Sequence, residues 1–216
     1  MTTETLPSHE QGAQAGTSCG LRARHRGTWV GMLFWSAASL VASFVLAVEA
    51  VTLAADPGAV LSCDINTVIS CGTVGSSWQA SVFGFPNAFL GLLTEPVVIT
   101  IAVARLAGAT FPRWFMLTAQ AAYTVGVALA YWLLHQAVFE IGAVCPWCLL
   151  VTVATTFVFF EITRVNLLDG HLPLPAGLRQ VLVDAARSHL DLMLVCAWLL
   201  GCALLLVARY GSALVG

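Results

Sequence analysis

Two pairs of cysteines have the residue type and the spacing for thiol–disulfide chemistry. Cys145 and Cys148 form a C-x-x-C motif at the start of an apolar stretch, and they are called the C-x-x-C pair below. Cys63 and Cys71 lie eight residues apart in a stretch rich in turn-forming residues, and they are called the loop pair. The thiolate is the form of cysteine that attacks a disulfide. The unpaired amides and the positive dipole end at a helix start favour the thiolate, so the C-x-x-C pair is a candidate redox centre.

The same cysteines can also have purely structural roles. Free cysteine is among the most buried residue types, so the C-x-x-C pair can belong to a packed core. The loop pair can form one static disulfide that staples a loop, and four thiolates together suit zinc. Cys196 and Cys202 are six residues apart, about 240° around a helix, and we interpret them as packing residues. Cys19 has no evident partner.

The composition predicts that these cysteines belong to a membrane protein. Only 9% of the 216 residues are charged, whereas a soluble domain has about 25%. The chain is 59% hydrophobic with a mean hydropathy of +0.87. A soluble enzyme, a disordered chain and a nucleic-acid binder are therefore poor interpretations.

Five stretches are long and apolar enough to cross a bilayer, which takes about 20 helical residues. They are Trp29–Ala55, Asn87–Ala107, Trp114–Val138, Cys145–Ile162 and Leu192–Ala208. The predicted fold class is an all-α integral membrane protein, in which four transmembrane helices form a bundle over residues 29–163 and a fifth lies within 192–216. Residues 56–86 form the long loop that carries the loop pair.

Two further segments lie outside the predicted spans. Residues 1–28 are polar and end in a basic run, which predicts a disordered cytoplasmic tail. Residues 164–191 connect the fourth and fifth spans. Within them, Leu178–Leu190 alternates apolar and charged faces at helical spacing, which predicts a short helix lying on the membrane surface.

The basic residues predict the orientation in the membrane. All nine are arginines, and eight of them fall on one side of the predicted spans. By the positive-inside tendency, the N-terminus is cytoplasmic in a plasma or inner membrane, and both cysteine pairs face outward. The outer compartment is the oxidising one in most cells. The eight are Arg22, Arg24, Arg26, Arg105, Arg113, Arg164, Arg179 and Arg187.

Three titratable residues in the predicted spans have open interpretations. Glu49 lies near the outer end of the first span and is predicted to be interfacial. Glu95 lies near mid-membrane, where a carboxyl is a functional candidate by default. It is either a proton donor or a group hydrogen-bonded to another helix, for example through Gln120. His135 lies near the outer end of the third span, where proton handling and a solvated position are both open.

Four segments resemble, in chain order, the vitamin K epoxide reductase (VKOR) family, and in particular its bacterial members. The resemblance covers residues 29–163. The segments are the loop pair with its intervening residues, 63–71; Ser76-Ser77-Trp78; Phe85-Pro86-Asn87-Ala88-Phe89-Leu90-Gly91; and Cys145-Pro146-Trp147-Cys148.

The resemblance implies an oxidoreductase in which a four-helix bundle encloses a quinone of the menaquinone, ubiquinone or vitamin K type. Cys63 then exchanges with a reduced, extracytoplasmic thioredoxin-fold (DsbA-like) protein, and Cys71 relays to Cys145. Cys148 lies next to the quinone. The implied function is reoxidation of the DsbA-like protein with a quinone as acceptor.

The resemblance also implies residues that contact the quinone. Asn87 matches an amide that hydrogen-bonds a quinone oxygen, and Ser77 matches a loop serine. Thr152 stands where vertebrate members have tyrosine, and Trp147 lies inside the C-x-x-C motif. Because the chain ends at Gly216 without a fused thioredoxin-like domain, we expect the redox partner to be a separate protein.

Three alternatives stay open. A carrier for soft metal ions presents cysteine pairs near helix ends, because thiolates suit such ions. Reduction of a quinone or of vitamin K epoxide can be the main activity. An unrelated four-helix disulfide-forming reductase of the DsbB type normally has its C-x-x-C motif before the spaced pair, the reverse of the order here. No metal cofactor and no nucleic-acid partner are predicted.

Overall fold

A computed structural model describes the backbone of residues 8–215 and the side chains of residues 26–211. In this part of the chain there are seven α-helices and no strand. The helices are α1 (Ser8–Ala55), α2 (Cys71–Gly75), α3 (Ala88–Leu106), α4 (Arg113–Gln136), α5 (Pro146–Leu168), α6 (Ala176–Arg187) and α7 (Leu190–Val215). A 3₁₀ turn spans Trp78–Ser81, and one π turn, Ala137–Ile141, extends α4.

Five helices are long and apolar enough to span a membrane, which confirms the predicted all-α membrane fold. These spans are Arg26–Ala55, Ala88–Leu106, Arg113–Ile141, Pro146–Leu168 and Leu190–Gly211. The short helix α6 occupies most of the segment predicted as amphipathic, and its last turn carries Arg187.

The first four spans form the bundle. Helix α1 packs along both α3 and α5, and α4 packs against α5. The apolar core includes Met32 of α1, Ala102 of α3 and Val158 of α5, all nearly inaccessible to solvent. Close helix contact needs small residues: a Cβ on Gly91 would overlap the side chain of Ser43 across the α1–α3 interface.

Helix α7 lies at the periphery of this bundle. Two hydrogen bonds attach it to the α4 region: the Trp198 indole donates to the Tyr131 hydroxyl at 2.9 Å, and the Tyr210 hydroxyl donates to the Val138 carbonyl at 2.8 Å. Most of its other side chains face outward, as expected of a span that contacts lipid.

The segment predicted as a disordered tail, residues 1–28, is helical from Ser8 onward. Helix α1 begins at Ser8 and continues without a break into the first span. The segment contains many good helix formers and no proline after Pro7, so a helix nucleated in the span can propagate toward the N-terminus. Residues 1–7 and the side chains of Cys19, Arg22 and Arg24 lie outside the described part.

Arginines gather at the end of the bundle away from the cysteines. Arg105 pairs with Asp169 at 3.3 Å and covers the ring of Trp29 at 5.1 Å from its centroid. Arg164 lies 3.6 Å from Asp191, which links α5 to the start of α7. We call this group the arginine end and the opposite group the cysteine end.

Candidate functional site

A carboxylate holds the loop between α1 and α2 in shape. Asp64 accepts hydrogen bonds from the Leu61 amide, the Gly72 amide and the Ser70 hydroxyl, each at 2.8 Å. These bonds favour the charged form, and the Gly72 amide contributes most to lowering the pKa of Asp64 below its usual value. The loop thus folds around the charge of Asp64, and Cys63 is the residue directly before Asp64 in the chain.

Backbone pairing brings the loop to the start of α5. The Ser70 amide donates to the Val144 carbonyl at 3.2 Å, and the Val144 amide donates to the Val68 carbonyl at 2.7 Å. Cys71 and Cys145 directly follow two of these paired residues. One cysteine from each pair is therefore set beside the other.

The sulfur atoms lie in an order suited to disulfide exchange. Cys63 and Cys71 form a disulfide. The Sγ of Cys71 lies 3.0 Å from the Sγ of Cys145, which in turn accepts a hydrogen bond from the Cys148 amide at 3.4 Å. Cys145 is 1% exposed, so the contact is shielded from solvent.

The helix start favours a thiolate at Cys145, which caps α5. A hydrogen bond from the Cys148 thiol is the main factor that lowers the pKa of Cys145. The backbone amides of Cys148 and Trp147 act in the same direction. A thiolate at this position can attack, or leave from, the sulfur of Cys71.

A cavity of about 600 Å³ extends from the sulfur atoms into the four-helix bundle. Three of the four paired cysteines line it; Cys63 is not among the lining residues. Apolar side chains of α1, α3, α4 and α5 form most of the wall. The polar lining residues of interest are Ser77, Asn87, Thr152, Glu49, Glu95 and Tyr123.

The three predicted polar contacts lie in this wall, but their hydrogen bonds differ. The Asn87 amide nitrogen donates to the Gln79 carbonyl at 2.7 Å, while its buried Oδ1 has no partner among the described residues. Ser77 donates to the Val74 carbonyl and Thr152 to the Cys148 carbonyl. Because their hydroxyl protons are used in these bonds, Ser77 and Thr152 can only accept hydrogen bonds from a ligand in this arrangement.

Comparison with known families identifies the bundle. The model of the vitamin K epoxide reductase family matches residues 30–163, which is more than half of the chain. The chain belongs to this family. A search of curated proteins gave no match. Membership makes the protein an oxidoreductase with membrane thiol/quinone-type redox chemistry, and the predicted family is confirmed.

The match to the VKOR family ends before the last two helices. It covers α1 from residue 30, the loop pair, α3, α4 and most of α5. Helices α6 and α7 lie beyond residue 163. All residues that line the cavity, and all four paired cysteines, lie within the matched region.

Trp147 is the predicted quinone contact that the structure does not place at the cavity. It packs against the buried cluster that contains Cys63, Cys71 and Cys145, and it is not among the residues that line the cavity. Successive residues are about 100° apart around a helix, so Cys148 and Trp147 occupy different faces of α5. We therefore do not propose Trp147 as a quinone ligand in this VKOR-family bundle.

Glu49 was missed as a site residue: the carboxyl predicted to lie at the interface is buried beside the cysteines. Its side chain is 8% exposed, and its Oε1 lies 3.2 Å from the Sγ of Cys63. Its Oε2 is buried and has no hydrogen-bond partner among the described residues. The available signal was a carboxyl more than a turn inside an apolar helix, at the cysteine end.

Glu95 is held by hydroxyl groups of two other helices. Ser39 donates to its Oε1 at 2.9 Å, and Tyr123 donates to its Oε2 at 3.0 Å. The prediction that Gln120 is the partner of Glu95 is wrong. The Gln120 amide instead donates a hydrogen bond to the Thr163 hydroxyl at 2.9 Å, on the α4–α5 interface. Glu95 therefore links α1, α3 and α4 within the cavity wall.

Proposed function

We propose that this protein is a membrane thiol:quinone oxidoreductase that reoxidises an extracytoplasmic thioredoxin-fold, DsbA-like protein. The loop pair receives electrons from that protein, and the C-x-x-C pair passes them to a quinone. The observation that carries the proposal is the 3.0 Å distance between the sulfurs of Cys71 and Cys145, beside a mainly apolar cavity.

The relay begins at the loop pair. A thiolate of the reduced partner attacks Cys63, which forms a mixed disulfide with the partner and releases the Cys71 thiolate. Cys71 then attacks Cys145 of the oxidised C-x-x-C pair, so a Cys71–Cys145 disulfide forms and the Cys148 thiolate is released. Each exchange forms one S–S bond and breaks one.

Two further exchanges complete the transfer. The second thiol of the partner attacks the mixed disulfide, and the partner leaves oxidised while Cys63 is freed. Cys63 then attacks Cys71, which reforms the loop disulfide and releases Cys145. Two electrons have passed from the partner to the C-x-x-C pair, which is now a dithiol.

The cavity has the chemistry to hold a quinone. Its mainly apolar wall suits a ring and an isoprenoid tail, and the unpartnered Oδ1 of Asn87 can accept a hydrogen bond from the hydroxyl of a reduced quinone. A bound quinone would supply a two-electron acceptor that returns the C-x-x-C pair to the disulfide. Cys148 is among the residues that line the cavity, so we assign to its thiol the reaction with that quinone.

The orientation is part of the proposal. The described arginines of the bundle lie at the end away from the cysteines, which supports a cytoplasmic arginine end and an outward cysteine end. A water-soluble partner then meets the loop pair outside, while the quinone enters from lipid. Two cysteine pairs are needed because these two reactants occupy different phases.

One observation favours a second candidate, a soft-metal-ion carrier. Ligand atoms of Glu49, Cys63 and Cys71 lie within 4.8 Å of one another. The loop pair forms a disulfide here, and a carrier needs thiolates along a path across the membrane. Of the described free thiols, Cys145 and Cys148 lie at the cysteine end beside the loop pair, and Cys196 and Cys202 lie on the peripheral helix α7.

The proposal is tested with purified protein, a reduced DsbA-like protein and a soluble quinone such as menadione. We expect continued oxidation of the partner only when the quinone is present. In the Cys71→Ala variant Cys63 is a free thiol, so when mixed with the oxidised partner it should attack the partner's disulfide and accumulate a mixed disulfide between Cys63 and the partner. Quinone-independent oxidation, or no mixed disulfide in that variant, contradicts the proposed order. Vitamin K epoxide in place of menadione tests epoxide reduction as the main activity.

A further inference from the structure

Glu49 is a buried carboxyl for which the relay described above has no role. One oxygen contacts only the sulfur of Cys63, at 3.2 Å, and the other has no partner among the described residues. Burial of a carboxyl with an unsatisfied oxygen costs free energy, which a functional role would account for. Its counterpart in the cavity wall, Glu95, has both oxygens satisfied by hydroxyl groups.

We propose that Glu49 is the general base for Cys63 in the exchange that reforms the loop disulfide. This inference rests on the proposed function. The Cys63 thiol transfers its proton to the Glu49 carboxylate, and the resulting thiolate attacks Cys71 of the Cys71–Cys145 disulfide. The Cys63–Cys71 bond forms, the Cys71–Cys145 bond breaks, and Cys145 leaves as a thiolate.

The geometry favours a base at Cys63 rather than at another sulfur. Cys145 already has the amides of a helix start to stabilise its thiolate. Cys63 lies in the loop, before α2 and outside any helix. No helix-start amides are therefore available to favour the Cys63 thiolate, and we assign that role to the Glu49 carboxylate. Its distance from Cys63 is within hydrogen-bond reach of a thiol.

Among the ionisable groups near Cys63, Glu49 is the one available to act as its base. The groups that face it are Asp64 of the loop and the thiols of Cys145 and Cys148 on α5. The Asp64 oxygens accept hydrogen bonds from three loop groups. Of the two carboxylates, only Glu49 contacts a reacting sulfur.

The position of Glu49 also gives the proton a destination. Glu49 lines the cavity, as do Cys145 and Cys148. A proton taken from Cys63 is then held beside the space where reduction of a quinone consumes two protons. Glu49 thereby couples closure of the loop disulfide to proton supply at the cavity.

The test uses the Glu49→Gln variant of the full chain in lipid nanodiscs, with dithiothreitol as thiol donor and menadione as acceptor. At pH 6.5 we expect turnover to fall about 100-fold, the lower end of the range for loss of a general base. The defect should shrink as the pH rises past about 8.5, because the thiol then ionises without help. Quenched samples should accumulate the Cys71–Cys145 disulfide, measured by mass spectrometry.

Two variants control this test. Glu140→Gln removes an exposed carboxyl at the same end and should leave turnover unchanged. Glu49→Asp keeps a base at a greater distance and should recover part of the rate, which a defect caused only by misfolding would not do. A Glu49→Gln defect that is equal at all pH values, or that lacks the Cys71–Cys145 disulfide, overturns the proposal for Glu49. Absence of menadione-dependent thiol oxidation in the unaltered protein instead overturns the proposed function.

Discussion

The two ends of the bundle use polar groups for different purposes. At the cysteine end, the carboxylates of Asp64 and Glu49 are directed at loop amides and at a sulfur atom. At the arginine end, Arg105 and Arg164 pair with carboxylates on neighbouring helices. One end arranges reactive atoms, and the other ties helix ends together.

The difference between the ends lies in burial and connectivity. The ion pair of Arg105 and Asp169 is partly exposed, and such pairs contribute little to stability. The sulfur of Cys145 is shielded from water, and its contacts come from segments far apart in the chain. Substitutions at the cysteine end should therefore affect chemistry, and those at the arginine end only stability.

The largest effect is expected at Cys148, the cysteine that is proposed to reduce the quinone. Cys148→Ser should reduce menadione reduction by roughly 10³-fold or more, because loss of a group that reacts covalently removes most of the rate. The measurement is the absorbance of menadione during single turnover. Cys196→Ser on α7 is the matched control, since Cys196 is exposed and remote from the relay, and it should behave like the unaltered protein. Equal loss in both variants would contradict the assignment.

An intermediate effect is expected at Asp64. The Asp64→Asn variant loses charge-assisted hydrogen bonds to loop amides, each worth about 1.5–3 kcal/mol, so the loop should open more often. Hydrogen exchange of residues 61–72 measures this opening. Near-normal exchange in the variant would show that the loop disulfide, rather than the carboxylate, holds the loop.

The pH dependence of the same measurement follows from the lowered pKa of Asp64. The carboxylate stabilises the loop at pH values above the unfolded pKa, about 3.9. This contribution is lost as the pH falls from there through the lower folded pKa, because the unfolded form then binds the proton more readily. The Asp64→Asn variant should lack this dependence.

The smallest effect is expected at the arginine end. Arg105→Ala removes a partly exposed ion pair, worth roughly 0.2–1 kcal/mol, and a cation–π contact with Trp29 of similar size. Thermal unfolding should show a small destabilisation, and menadione turnover per folded molecule should be unchanged. A tenfold loss of turnover would remove the contrast between the two ends.

Part of the site could be predicted from the sequence because it depends on local spacing. The C-x-x-C pair lies where an apolar stretch begins, and a helix does begin at Pro146. Asn87 immediately precedes a span, and its side chain lies in the cavity wall. The roles of the four paired cysteines, Ser77, Asn87 and Thr152 stay proposals.

Other features could not be predicted because they depend on contacts between distant segments. Glu49 and Cys63 are fourteen residues apart, and only the return of the loop toward α1 brings them together. Glu95 was recognised as unusual from its depth in a span, but its partners Ser39 and Tyr123 lie on other helices. Rotation about each helix axis selects such partners, and hydropathy does not specify that rotation.

The amino-acid sequence sufficed to predict a membrane protein with five spanning helices and with eight of its nine arginines on the side opposite the paired cysteines. Hydropathy, charge and short-range spacing are properties of consecutive residues, so they can be read along the chain. Three features required the folded structure: Cys71 lies against Cys145, Trp147 is not among the residues that line the cavity, and Glu49 contacts Cys63. Those contacts depend on how helices pack and how the loop folds back, which is set by many distant residues together.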